Sequence, residues 1–593
     1  MSVTAKTKVG QVDAGRDRLG LAAPFGTLVL VWLATSACLA IGFIYALRIG
    51  FQGPEAKFLL HQDLPVLGLC VAITAALAFT PAIGVPRLRA ALAAAPGAWA
   101  LGLAMLCGAI GILGAPLVFA GYHLALDEFM ANFDATIFAH GQLMAPIAPA
   151  WRPLAPALQP MFTVPVAGHA FWASGYLPIN AAMRALGALA GLEAWVNPLL
   201  SALSVGLVYA VGRRLWPERP GLALGAAALL ATSSQLIVMS MTAYAMPGHL
   251  AFDLAWLWLF LRGGRLGHAG AIAVGFLATG LHQLLFHPLF VAPFVLQLWL
   301  DRRWRLAGLY TIAYALIGLF WTEWFQLDMR LVGISPAAAS AVGGGWMVER
   351  VMQILSSIRI QAAGQMGLCL IRFVTWQNPL TAPLAIAGAL AAERAKGHMR
   401  ALVLGVFLTL AAMLFLMPTQ THGWGYRYAH GLLGSVCLIA IWTWARLTDP
   451  LPAPRRAAAG AAFVIACAAS LFFLTPLRAW QAWLYVHPYA QADRIIHAAP
   501  ADAVLVDDEG TPGFDSGTVV RNDPYLRNRP KVMELSVMTG ALVRQVCARG
   551  SVRVFDGREA AALGMDIMNV PVESHTLRLR ALMAQLHCGK PIR

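Results

Sequence analysis

Apolar residues run through this chain in long uninterrupted stretches that short polar loops separate. An apolar run of about 20 residues is long enough to cross a bilayer as a helix, whereas helices of soluble domains show periodic apolar stripes. The pattern therefore predicts an α-helical polytopic membrane protein with about thirteen spans. We place the spans at 25–48, 64–85, 96–119, 193–212, 221–241, 249–262, 269–284, 287–300, 306–325, 376–392, 401–417, 429–446 and 458–476.

Three of the connecting segments are long or unusual. Residues 120–192 and 326–375 form long loops, and the second contains an amphipathic pattern near 346–362. Residues 418–430 form a short loop rich in aromatic and polar side chains. The pair of apolar runs around 269–300 is interrupted by only a short turn, so it could also be a re-entrant hairpin.

The last part of the chain differs in composition from the rest. Strand-like runs at 503–506 and 552–555 are followed by turn or helical patterns, which predicts a small C-terminal α/β domain over 477–593. We expect residues 1–95 to form an N-terminal tail with two additional spans, and 96–476 to form the main membrane module. No internal repeat is evident, and this weakens an inverted-repeat transporter as the explanation.

Composition and charge agree with a bilayer as the solvent. Hydrophobic residues make up 59% of the chain and charged residues only 12%, where a soluble protein has roughly 25%. The net charge of +15 comes from basic residues clustered in the loops on one side, whereas loops 242–248 and 282–287 contain no Lys or Arg. The positive-inside rule then places the N-terminus in the cytoplasm, and an odd number of spans places the C-terminal domain in the periplasm of a bacterial inner membrane. No basic run is interleaved with aromatics, so nucleic acid is not an expected partner.

The cysteines indicate one disulfide. Six of the eight lie in apolar runs, and only Cys547 and Cys588 lie in the tail. Because the tail is expected in an oxidising compartment, we predict that these two cysteines are bonded to each other. The chain has no C-x-x-C pattern that would indicate a zinc or redox site.

Asp127 and Glu128 are the most informative polar residues. They come a few residues after the third predicted span, at the expected outer face of the membrane. Adjacent carboxylates are costly to bury and are often functional when they line a cavity, although a solvated pair of loop acids is the plainer alternative. Asp134 would share a helical face with Asp127, or it could be a solvated acid.

Candidate phosphate-binding residues lie in the outer loops. The segment 421–428, Thr-His-Gly-Trp-Gly-Tyr-Arg-Tyr, combines glycines for close approach, aromatics for sugar stacking and one forked cation, Arg427. His422 and Tyr426 lie in the same segment, and Arg372 is a second candidate cation. Each arginine could instead snorkel to the interface among belt aromatics.

Histidines near the outer ends of the spans allow two further interpretations. His249 and Asp253 have the i, i+4 spacing that permits shared metal ligation, and His282 and His287 flank an outer turn where they could contact phosphate. Interfacial histidines also have purely structural roles. The loop 242–248 has no acidic residue. We assign no metal ligands, and a divalent metal ion stays open as a cofactor.

The segment Leu126–Asp134, followed by Gly175-Tyr-Leu-Pro178 and Arg184, resembles the GT-C superfamily of membrane glycosyltransferases. The similarity is to its glycosyltransferase family 39-like members, the bacterial relatives of protein mannosyltransferases and lipid A aminoarabinose transferases, and it covers roughly residues 96–450. The resemblance implies a hexosyl or pentosyl transferase that moves a sugar from a polyprenyl-phosphate donor to an envelope lipid, glycan or protein.

The resemblance also implies roles for particular residues. Asp127 is the expected base, Glu128 supports it, and an external cation such as Arg427 binds the donor phosphate. Tyr176, His249 and His287 are further candidates for the substrate site. The alternative function is a transporter or flippase for a lipid-linked or small polar substrate.

Overall fold

Helices dominate the computed structural model, which describes residues 22–48, 57–81, 86–164, 166–334, 361–391, 397–417, 419–420 and 422–591. Within these residues, eight helices are long and apolar enough to cross a membrane. They are Pro24–Ile41, Leu59–Leu77, Pro96–Phe119, Glu193–Leu215, Trp304–Thr322, His398–Leu416, Arg427–Thr448 and Ala453–Ala498. The predicted class, a polytopic helical membrane protein with a C-terminal α/β domain, is confirmed.

A ninth candidate crossing is a pair of helices joined at a sharp bend. Pro220–Ala231 and Ser234–Ser240 meet at an angle of 58°. The bend follows from Ser233, whose side chain accepts a hydrogen bond from Leu236 N and so begins a new helix. The chain can therefore change direction here while the Leu236 N–H, in the first turn of the second helix, keeps a hydrogen bond.

The four remaining predicted spans are shorter helices. They are Met246–Arg262, Gly264–Thr279, Phe286–Leu300 and Thr381–Leu390, with 17, 16, 15 and 10 residues. At 1.5 Å rise per residue, even the longest falls somewhat short of a hydrocarbon core of about 30 Å. All thirteen predicted segments thus overlap helices, and full crossing by these four stays a prediction.

The first long loop, residues 120–192, contains the helix Leu126–Ala139, which we call the loop helix. Its first turn carries Asp127 and Glu128, where negative charge is favourable at the positive end of the helix dipole. The loop continues through a small antiparallel pair, Ala145–Pro146 with Phe171–Trp172, to the helix Ile179–Leu189. The other short helices are Pro86–Ala94, Ala155–Leu158, Trp324–Leu331 and Gln361–Thr375. The predicted amphipathic helix near 346–362 lies outside the described residues except for its last two positions.

The C-terminal unit follows the last membrane helix without a break in the helical run, which ends at Ala498. Its main sheet is parallel, in the order Lys531–Glu534, Ala503–Asp507, Val552–Asp556 and Lys590–Pro591. The strand Ala503–Asp507 is buried along its whole length, as its apolar run predicts. Two short strands, Gly510–Gly513 and Met568–Val570, pair separately, and the helices are Gly540–Arg549, Gly557–Leu563 and Ser574–Gln585.

The predicted disulfide is confirmed. Cys547 and Cys588 are bonded, and their Cα atoms lie 5.8 Å apart. The bond joins the helix Gly540–Arg549 to the segment just before the edge strand, and so closes the C-terminal end of the unit onto its own core.

The C-terminal unit packs on the first long loop. Trp172 Nε1 donates to Pro524 O at 2.7 Å, and Arg521 Nη2 donates to Leu124 O at 2.9 Å. The apolar side of the loop helix, including Phe133, shares a buried cluster with the central strand of the unit. The unit therefore fixes the loop that carries the two adjacent carboxylates.

Candidate active site

Asp127 and Arg427 meet in one buried site, although 300 positions separate them along the chain. Asp127 lies in the first turn of the loop helix, and Arg427 begins the helical turn Arg427–Leu432 before a membrane helix. Arg427 Nη1 donates to Asp127 Oδ2 at 2.5 Å, and the two side chains are 6% and 10% exposed. Two segments that are far apart in the chain therefore contribute opposite charges to a single point.

Two more side chains lie beside the Asp127 carboxylate. The Tyr176 hydroxyl donates to Asp127 Oδ1 at 2.6 Å, and His282 Nε2 lies 3.9 Å from Oδ2. The Tyr176 ring stacks on the His282 ring at 4.4 Å. Burial alone raises the pKa of Asp127, but Arg427, His282 and the tyrosine hydrogen bond together bring it below its usual value. The carboxylate is ionised in this arrangement.

Aromatic rings surround the Arg427 guanidinium. Its Cζ lies 4.7 Å from the centre of the Tyr428 ring and 5.0 Å from that of Tyr244, and Nη2 donates to the Tyr428 hydroxyl at 2.8 Å. Cation–π contacts of this kind stabilise a cation that little water reaches. The predicted aromatic loop thus forms the wall of a cation site.

The backbone of the aromatic loop is fixed by two glutamines. Gln420 accepts from Arg427 N at 2.7 Å, and Gln235 Nε2 donates to Tyr426 O at 2.8 Å. Gly425 has φ +68°, and a Cβ there would come within 2.3 Å of Gln235 Oε1. Any larger residue at position 425 would displace the glutamine and with it the segment that carries Arg427.

Glu128 points away from Asp127 and joins two loops. Its Oε2 accepts from Ala125 N at 3.2 Å, and its Oε1 accepts from Ala243 N at 3.0 Å. The residue is 1% exposed, and burial raises its pKa to about 7 against the lowering effect of the two backbone donors. Glu128 therefore caps the loop helix and ties it to the loop 242–248.

The other predicted site residues are distributed over separate places. His422 Nε2 lies 3.5 Å from the Asp515 carboxylate of the C-terminal unit. The Tyr426 hydroxyl donates to Met417 O at 3.2 Å, so this ring supports the loop and does not contact Asp127 in the described structure.

Arg372 belongs to a different buried ion cluster. Its Nε lies 3.7 Å from Asp63, the same carboxylate that Arg478 contacts at 3.0 Å. All three side chains are fully buried. Arg372 Nη2 also donates to Gly423 O at 2.9 Å, so this cluster is hydrogen-bonded to the backbone of the aromatic loop.

His249 and His287 contact residues other than Asp127 and Arg427. His287 bonds Asp253 Oδ1 at 2.6 Å and the Tyr314 hydroxyl at 2.7 Å, while His249 packs its ring on Phe286. Asp253, which the i, i+4 spacing pairs with His249, is therefore hydrogen-bonded to His287 instead. Among the residues that the structure describes, no three His, Cys, Asp or Glu side chains are grouped so that they could hold a metal ion.

Asp134 and Arg184 shape the first loop. The Asp134 carboxylate is buried and accepts from Ser174 N at 2.8 Å. Arg184 bonds Asn132 of the loop helix and lies 3.7 Å from Glu193. Both residues hold the loop's segments together outside the Asp127 site.

Several residues that contact the site were not predicted from the sequence. Gln235, Gln420, Tyr244 and Asp515 had no signal, since single polar or aromatic residues in apolar surroundings are common. Tyr428 stands directly after Arg427, and its position in the aromatic segment was the available signal.

No family model and no curated protein matches this chain. Among solved structures, ArnT from Cupriavidus metallidurans in the apo state is 14% identical, over 72% of this chain and 84% of that chain, with a TM-score of 0.47. The structure of ArnT from Cupriavidus metallidurans bound to undecaprenyl phosphate is 14% identical, over 83% and 90% of the two chains, with a TM-score of 0.42. These values mark a broad likeness only.

Proposed function

We propose that the protein is a membrane glycosyltransferase that transfers a sugar from a polyprenyl phosphate to an envelope acceptor. The observation that carries the proposal is the meeting of Asp127 and Arg427 in one aromatic-walled site. Transfer from a lipid phosphate needs a base beside the acceptor hydroxyl and a cation beside the departing phosphate. The resemblance of the segment Leu126–Asp134 to the GT-C superfamily supports the same assignment.

The proposed reaction is a single displacement. The acceptor hydroxyl oxygen attacks the anomeric carbon, and Asp127 takes the hydroxyl proton. The bond between the anomeric carbon and the phosphate oxygen breaks, and its electron pair leaves with the phosphate, which Arg427 binds. Attack opposite the leaving group inverts the anomeric configuration.

The ion pair adds an order of events to this reaction. With Arg427 bound to it, Asp127 is a weak base, since its pKa is lowered. A lipid phosphate would compete for the same guanidinium fork, because phosphate and carboxylate bind it in the same way. Donor binding would then weaken the pair, raise the pKa of Asp127 and make this residue a better base when the acceptor arrives.

The proposed location is a bacterial inner membrane with the N-terminus in the cytoplasm and the C-terminal unit in the periplasm. The one-sided distribution of basic loops supports this orientation. The Cys547–Cys588 bond supports it as well, because structural disulfides persist in oxidising compartments.

A transporter or flippase is the second candidate. It is favoured by the buried row Asp253, His287 and Tyr314, which links three apolar helices. Ionisable side chains between membrane helices often mark ion pathways. The two functions predict different products, so one experiment separates them.

The test is complementation of a deletion strain, with mass spectrometry of its lipids and envelope glycans. Wild type should restore a missing sugar, and Asp127→Asn and Arg427→Gln at normal membrane levels should not. Glu323→Gln and Arg330→Gln, exposed residues beside the external end of a span, are the matched controls and should restore it. A strain that keeps every glycan but accumulates an untransported lipid-linked intermediate would favour the transporter.

A further inference from the structure

A polar cavity lies between the loop helix and the C-terminal unit, apart from the Asp127–Arg427 pair. Its volume is about 330 Å³, within the usual range for a small-molecule site. One wall comes from the loop helix and the residues before it, and the other from the end of the last long helix and segment 521–524. The lining includes Tyr122, His123, Phe129, Asn132, Thr136, Asp493 and Arg521.

Both walls present hydrogen-bonding groups that the described residues leave unmet. On the loop side, Asn132 accepts from Arg184 through Oδ1, while no described residue bonds its Nδ2. On the opposite side, Asp493 Oδ1 lies 3.3 Å from His497 Nδ1. That nitrogen bonds the Asp493 backbone carbonyl, so the buried carboxylate oxygen receives no hydrogen bond from the part of the chain that the structure describes. Burial, with Arg184 and Arg521, lowers the pKa of His123 to about 3, so its ring is neutral and can both donate and accept.

The cavity also has an apolar face and nearly balanced charge. The Arg521 guanidinium lies 4.7 Å from the Tyr122 ring and 4.9 Å from the partly exposed Phe129 ring. Asp493 lies 3.3 Å from His497 and Asp523 lies 3.2 Å from the exposed Arg527, so each carboxylate of the lining has a basic neighbour. Mixed donors and acceptors beside an aromatic ring, without net charge, suit a neutral polyhydroxylated ring better than a phosphate or an amine.

The position relative to Asp127 decides which part of a substrate could lie here. Phe129, Asn132 and Thr136 follow one another along one face of the loop helix. Asp127 is two residues before Phe129 and therefore points about 200° around the helix axis from that face. A group bound in the cavity is thus not the reacting hydroxyl, but it can belong to the same molecule if that molecule passes the N-terminal end of the loop helix.

We propose that this cavity binds a neutral sugar unit of the acceptor, so that the acceptor is a glycan or glycolipid of several sugars. The proposal rests on the proposed glycosyltransferase function. Binding of a remote sugar would position the acceptor hydroxyl beside Asp127, since contacts far from the reacting atoms can supply orientation.

Binding can be measured without the reaction. The probe is the carbohydrate released by mild acid from the envelope of the deletion strain, and the protein is the purified full-length chain in detergent. Saturation-transfer NMR should detect binding to wild type. Thr136→Trp fills the cavity, and Asp493→Asn removes the carboxylate whose buried oxygen has no hydrogen bond. Each variant should weaken binding of the probe at least tenfold.

Two controls separate this proposal from the proposed function. Thr136→Ser keeps the hydroxyl bond to Asn132 O and should bind like wild type, as should Glu323→Gln, an exposed residue outside the cavity. Normal binding by both Thr136→Trp and Asp493→Asn, or no saturation transfer to the probe with wild type, overturns the cavity proposal alone. Full complementation by Asp127→Asn overturns the proposed function and leaves the binding result intact. If Thr136→Trp does not fold, Asp493→Asn decides.

Discussion

The buried pair of Asp127 and Arg427 can be tested by a double-mutant cycle on stability. The substitutions are Asp127→Asn, Arg427→Gln and both together, which keep much of the side-chain volume while removing the charges. The cycle isolates the interaction between the two residues from whatever each makes with its other neighbours. It therefore tests the geometry on which the proposed function depends, without assuming a substrate.

The expected size follows from burial. The side chains are 10% and 6% exposed, so removal of one charge leaves the other unpaired in a poorly hydrated site. Breaking such a buried pair typically costs about 3–5 kcal/mol. We expect the lower end for Arg427→Gln, because the Tyr176 hydroxyl and His282 still face the carboxylate. The double variant should be less destabilised than the sum of the singles by about 2–3 kcal/mol.

The assay is reversible SDS denaturation of protein purified in mild detergent, followed by tryptophan fluorescence. The control cycle uses Arg219 and Asp449, which form two hydrogen bonds of 2.8 Å but are 48% and 47% exposed. An exposed pair should couple by less than about 1 kcal/mol. Equal coupling for the two pairs would refute the buried contact between Asp127 and Arg427.

Three further predictions concern the same loops and the tail. The fold lowers the pKa of Asp127, so the stability that its charge contributes is present above a pH of about 4 and is lost as the pH falls further. The difference in unfolding free energy between wild type and Arg427→Gln should therefore become smaller over that acid range, as measured by SDS titration. Replacing Cys547 and Cys588 with serine should lower the stability of the C-terminal unit by about 2–4 kcal/mol, measured by limited proteolysis, and unchanged protection would contradict a structural bond. In Glu128→Gln the single amide oxygen can accept from only one of the two backbone donors, so the free energy of unfolding should fall by about 1–3 kcal/mol. Sugar transfer should decrease while the topology stays the same, and a C-terminal reporter should remain active in the periplasm in both wild type and variant.

The membrane helices could be predicted well because the signal for a span is local. An apolar run such as Pro96–Phe119 defines its own helix, whatever it packs against, and the prediction matched its ends. Shorter helices such as Thr381–Leu390 were overestimated, since apolar neighbours outside the helix look the same in sequence. The signal for the strand Ala503–Asp507 was also local, because its apolar run is bounded by polar turn residues.

The candidate site could be predicted only in part. Asp127 and Arg427 were expected on the same side of the membrane, and charge complementarity makes a contact between two such loops favourable. The partners that fix them were not predictable, because Gln235 and Gln420 act through the backbone of a loop whose shape depends on tertiary packing. Arg372 shows the same limit, since its partner Asp63 comes from the distant N-terminal part of the chain.

The C-terminal unit matters to the site because it touches both loops that form it. Arg521 bonds Leu124, three residues before Asp127, and Asp515 faces His422, five residues before Arg427. A site whose two charged groups come from different loops needs both loops held in register, because small displacements weaken a short ion pair steeply. Arg521 and Asp515 are only six positions apart in one compact unit, so they set the spacing between the two loops. The unit therefore contributes to the geometry of the Asp127–Arg427 pair although none of its own described residues belongs to that pair.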